Sequence, residues 1–179
     1  MKPSSVSTTL DKFFKANYPL LLTGSPGTAK TALVEQSAER IGYKHFTILL
    51  SQSDPTDAKG YPAIIDNKGQ FVPFAELYEI VNATEPTIVF FDDMGQALPA
   101  VQAAFMNFLN SRTFNGKPIS KHVRFVGATN GRQDKAASHG IIEPAKSRFY
   151  TILPVTPDVD DFRAWGYAND LDPMLLAYC

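Results

Sequence analysis

The stretch LLTGSPGTAKT, residues 21–31, decides how the rest of the chain is read. Before its glycine lies an apolar run, YPLLLTG, which reads as a buried strand. After it, KTALVEQSAERIG has a helical period and stops at Gly42. Between strand and helix stand Gly24, Ser25, Pro26, Gly27, Thr28 and Ala29. Gly24 and Gly27 allow the backbone to curl so that successive N–H groups face one point, and the helix aims its positive end there. Such a point binds an anion, above all a phosphate. Lys30 is then placed to reach the β- and γ-phosphates of a nucleotide, and Thr31 to offer its hydroxyl to Mg²⁺. Ala29 stands where the usual pattern has glycine, and ordinary helical backbone is expected there, in which a methyl is tolerated. Lys30 is expected as an exposed charge. A glycine-rich turn with no ligand is the bland alternative, but strand, loop, Lys-Thr pair and helix in succession argue against it.

The surrounding composition suits one α/β domain. The 179 residues are 44% hydrophobic, enough for a real core, and carry a net charge of −1. No global basic field points to nucleic acid, so any such contact has to be local. The single cysteine, Cys179, excludes an internal disulfide and fits a reducing, cytoplasmic setting. MKPSSVSTTLDKFF lacks the apolar run of a signal peptide, and no segment reaches membrane-spanning length. His45, His122 and His139 are far apart and lack partners at metal-ligand spacing.

Along the chain, VSTTLDKFFKA (6–16) has helical spacing and KHFTILL (44–50) reads as a second buried strand. SQSDPTDAKGYP is a loop. AIIDNKGQFV predicts a hairpin folding back around Asn67–Gly69, and TFNGKPIS a second hairpin at Asn115-Gly116. FAELYEIVNA and LPAVQAAFMNFLNS are helical, PTIVFFDD is the most apolar strand, and HVRFVGATN and FYTILPV are further strands. The segment between these last two is irregular, with a short helix at most. DVDDFRAWGYAND begins a final helix. Alternating strands and helices predict a mostly parallel sheet flanked by helices.

Three more sites accompany the loop. A buried strand closed by paired acids, Asp92 and Asp93, calls for something cationic or catalytic at its end. Asp92 is placed to hold Mg²⁺ through water, and Asp93 to orient or polarise an attacking water. Asn130 ends GATN and is able to hydrogen-bond that water or the γ-phosphate; alone, it is equally a turn former. Arg148, in AKSRF, is by itself an ordinary surface charge, and its position after GATN is what draws attention to it.

GSPGTAKT, FFDD, GATN and SRF, in this order and spacing, resemble the AAA+ ATPases. SDPTDAKGYP, the two hairpins and EPAKSRF look most like the MoxR and midasin (dynein-related) branch. The resemblance runs from about Leu20 to Val155. It implies a P-loop NTPase three-layer sandwich, a five-stranded sheet in the order five-one-four-three-two, and two hairpin insertions facing a ring's pore. It implies an ATP-binding core over residues 1–155, with 156–179 as the start of a truncated or missing helical lid. It also implies Mg-ATP bound between subunits of a hexameric ring, with Asn130 as sensor 1 and Arg148 as the finger offered to the neighbouring nucleotide. Relatives have Glu where Asp93 stands, so a shorter reach and slow hydrolysis are expected.

Three functions follow. The leading one is a ring ATPase, of MoxR-like chaperone type, that remodels a protein partner; by resemblance, that partner carries a von Willebrand factor A domain. The second is a nucleotide-gated assembly module with slow turnover. The third, a DNA motor or loader, draws on Lys117, Lys121 and Arg124, which a solvated hairpin explains equally well.

Overall fold

The computed structural model describes residues 1–131 and 139–177. Five strands form one sheet: β1 (Leu20–Thr23), β2 (Lys44–Leu49), β5 (Thr87–Asp92), β8 (Val123–Thr129) and β9 (Thr151–Pro154), in the order β2-β5-β8-β1-β9. Every pairing is parallel. Numbered among themselves these strands read five-one-four-three-two, the expected order, and the sheet is wholly rather than mostly parallel.

Alternation along each strand sends side chains to two separate cores. Leu21, Val89, Phe91 and Phe125 face one layer, against α3 (Ala75–Val81) and α4 (Pro99–Asn110). Leu20, Leu22, Ile88, Phe90 and Val126 face the other, against α1 (Pro3–Ala16) and α2 (Lys30–Ile41). The first core is built on aromatic rings, with Phe91 stacked on Phe125 at 5.7 Å between centroids and edge-on to Phe105. β5 is buried at all six positions because helices cover it on both faces. β2 is only half-buried, against expectation. It is the sheet's edge, a position set by topology that its apolar composition does not reveal.

Two hairpins leave this sandwich. β3 (Tyr61–Ile65) pairs with β4 (Lys68–Val72), and β6 (Thr113–Phe114) with β7 (Lys117–Pro118). In the second, Asn115 and Gly116 both have positive φ, the two-residue turn expected. In the first, the turn falls on Asp66-Asn67, with φ of 50° and 58°, and Lys68 and Gly69 already belong to β4. Both DN and NKG carry turn chemistry, and the two-residue choice is the one whose twist matches the flanking strands.

After β8 come α5 (Glu143–Lys146), β9, α6 (Val159–Ala168) and α7 (Pro173–Ala177). No helix among the described residues is long and apolar enough to cross a membrane.

Candidate active site

The site assembles at the carboxyl ends of β1, β5 and β8, which are neighbours or next neighbours in the sheet. β1 delivers the loop Gly24–Ala29, and α2 starts at Lys30. Gly27 has φ of +79°, a conformation side chains rarely adopt. Gly24 is required for another reason: a methyl there would lie 2.5 Å from the carbonyl oxygen of Val155. Thr28 turns its hydroxyl onto the Ser25 carbonyl at 2.9 Å and tightens the loop.

Ala29 corrects the sequence reading. It is left-handed, φ 61° and ψ 25°, not helical, and caps α2 without a side-chain hydrogen bond. A Cβ in this region costs about 1–2 kcal/mol. The loop therefore needs the glycine-like backbone of the usual pattern, and alanine occupies it under strain.

Lys30 also differs from expectation, being only 7% exposed. Its ammonium donates to the carbonyls of Gly24 at 2.9 Å and Ser25 at 3.0 Å, and to Asn130 Oδ1 at 3.0 Å. One cation thus joins the loop to the end of β8. Beside it, Thr31 Oγ1 donates to Asp92 Oδ2 at 2.7 Å, and Asp92 Oδ1 accepts from the Asp93 N–H at 2.8 Å. Asp92 is buried. A hydroxyl and a carboxylate in contact are hard oxygen donors of the kind Mg²⁺ takes, so the residues present fit that ion.

Asp93 has φ of 53° and ψ of 34°, a second strained non-glycine residue beside the loop. Its half-buried carboxylate makes no hydrogen bond to the described residues. Burial pushes its pKa up, the charge of Asp92 adds to that, and Lys30 partly offsets it.

Arg148 lies elsewhere. It is exposed and stands just before β9, whose first residue, Thr151, pairs with Leu20 at the start of β1. The glycine loop follows the far end of that pairing, Thr23 with Pro154. About 10 Å of strand separates the two ends. The guanidinium has no ion pair or side-chain hydrogen bond with the described residues. The three basic residues near the second hairpin differ in their surroundings. Half-buried Arg124 donates from Nε to the Phe14 carbonyl at 3.1 Å and lies over the Tyr43 ring, while Lys117 and Lys121 are exposed.

Residues 19–149 match the family model of the AAA domain, dynein-related subfamily. The chain belongs to this family. No curated protein sequence matches it significantly. Among solved structures, the AAA chain resembles a candidate ATPase from Cytophaga hutchinsonii with a TM-score of 0.57 and 19% identity, covering 86% of this chain and 46% of that one. RuvB of Thermotoga maritima, a Holliday junction branch migration motor, gives 0.59 at 17% identity, with 90% and 48% covered. NtrX of Brucella abortus in complex with ADP gives 0.59 at 14%, with 90% and 38% covered. These likenesses are of fold. The chain spans less than half the length of each of these three proteins.

One residue of the AAA domain escaped the sequence reading. Gln102, the fourth residue of α4, is 1% exposed, and its side chain makes three hydrogen bonds. Its signal was present: Gln102, Phe105 and Leu109 share one face of a helix, so an amide sits on the apolar stripe.

Proposed function

We propose that this AAA domain hydrolyses Mg-ATP as one subunit of a ring and uses the cycle to remodel a protein partner. The observation that carries the reading is the closed set Lys30–Asn130 and Thr31–Asp92, which brings loop, acid strand and third strand to one point. In this reading Lys30 transfers its three hydrogen bonds to phosphate oxygens, and residues 24–31 hold the triphosphate. Thr31 and Asp92 hold Mg²⁺, which when bound neutralises charge on the phosphates. Asp93 takes the proton of the attacking water, Asn130 orients that water, and Arg148 serves the pocket of an adjacent copy.

A pKa raised by burial makes Asp93 a better base than an exposed Asp, because general-base catalysis improves as the pKa approaches working pH. Its side chain is one methylene shorter than Glu, which favours the second reading, a slowly cycling assembly switch. Turnover separates them: ATP binding with steady phosphate release supports the motor, and binding with almost none supports the switch. The partner, on the resemblance to MoxR-like proteins, is a protein with a von Willebrand factor A domain, and residues 156–179 are the start of a helical lid. Calorimetric titration with ATP tests the site itself; no difference between parent and Lys30→Ala overturns it.

A further inference from the structure

We infer that Gln102 is a positioning residue, tying the Asp93 turn to the segment that carries Arg148 so that movement at one is passed to the other. The inference rests on the ATPase reading and adds to it a physical link between a subunit's own pocket and the finger it offers.

A fully buried amide has to satisfy both of its ends, because an unpaired donor or acceptor in a core is costly. Gln102 Nε2 donates to the Ala97 carbonyl at 3.1 Å and to the Gly140 carbonyl at 2.9 Å, while Oε1 accepts from the Ile142 N–H at 2.9 Å. The Gly140 N–H in turn donates to the Gly95 carbonyl at 2.9 Å. Gly95 and Ala97 belong to the turn that Asp93 opens. One side chain therefore grips that turn and residues 140–142 together.

Each gripped element continues into the proposed machinery. On the pocket side, a methyl on Gly95 would lie 2.3 Å from Thr129 Oγ1, so the turn abuts the strand end that leads to Asn130. On the other side, Ile142 is the residue from which α5 starts. Ala145 and Phe149 are buried, which holds the short helix and the turn after it against the core, with Arg148 projecting between them. A side chain that only closed a loop would bind one element. Gln102 binds two, and each leads within a few residues to a group with a proposed role in the reaction.

Backbone hydrogen exchange tests this in the whole chain, with and without a non-hydrolysable Mg-ATP analogue. In the parent, the analogue should slow exchange in residues 24–31 and also in 139–149. Gln102→Met keeps the bulk but no strong partner. It should confine the response to 24–31, and without nucleotide the Ile142 amide should exchange about tenfold faster, the factor expected for one lost hydrogen bond. Gln102→Glu retains the acceptor and should restore protection at Ile142 alone. A parent whose response stops at the loop, or a Gln102→Met protein that still responds at 139–149, overturns the coupling and leaves the ATPase reading standing. A parent with no response anywhere overturns the ATPase reading and the coupling with it. If neither variant folds, the parent's response alone decides.

Discussion

The two ends of the central sheet are built on opposite plans. At the carboxyl ends of β1, β5 and β8 the side chains around the loop are paired with one another, Lys30 with Asn130 and two carbonyls, Thr31 with Asp92, and Asp92 with the Asp93 amide, and the Asp93 carboxylate alone of this group has no hydrogen bond to the described residues. At the amino end of β9, Arg148 stands exposed and without a side-chain partner among the described residues. The difference teaches how labour is divided. One end is a network of paired side chains around the glycine loop, and the other carries an exposed cation with no counter-charge among the described residues.

If that division holds, its largest consequence is at Arg148. Arg148→Ala should retain ATP affinity and lose about 10³–10⁵ in turnover, the contribution of an arginine finger, measured by steady-state phosphate release. Asp93→Asn should come next, costing about 10²–10⁴ in rate with affinity intact. The same change should make the fold more stable. Because the Asp93 pKa is raised on folding, its contribution is most favourable at acid pH, below the unfolded value, and is lost as pH rises through the folded value. Asn also removes the repulsion from Asp92 and tolerates left-handed backbone. Thermal melts should therefore show the variant's advantage at neutral pH and its shrinkage toward acid; an unchanged difference across pH argues against the shift.

Lys30→Ala should weaken ATP binding by about 10²-fold, as expected for lost charge-assisted hydrogen bonds. Because Lys30 is buried and bonded three ways, the variant should also melt lower, which an exposed lysine would not cause. The smallest effect belongs to Ala29→Gly. Relief of the left-handed strain exceeds the added chain entropy of glycine, for a net gain of up to about 1 kcal/mol, or about 2–4 °C in Tm.

Much of this was legible in the residues. Strand, glycine loop, Lys-Thr and helix follow one another as the residues indicate, and the paired acids and GATN stand at the ends of two further strands beside that loop. What was not legible depended on surroundings. The left-handed turn at Ala29 belongs to a loop that also brings Gly24 against the Val155 backbone, a contact 131 residues away in sequence. The burial of Lys30 depends on Asn130, 100 residues distant. Which of two turn signals closes the first hairpin was decided by strand twist, and the exposure of β2 by its edge position. Gln102 was legible and overlooked, because a helix stripe was read for its apolar members only.

The central claim is that the finger and the pocket belong to different copies, and mixing two inactive variants tests it most directly. Arg148→Ala has an intact pocket and no finger; Lys30→Ala has a finger and a damaged pocket. Combined in equal amounts, in a protein that includes any helical lid needed for association, they should recover a measurable fraction of the parent's ATP hydrolysis. Full activity in Arg148→Ala alone, or hydrolysis at the parent's rate by a demonstrated monomer, would contradict the account.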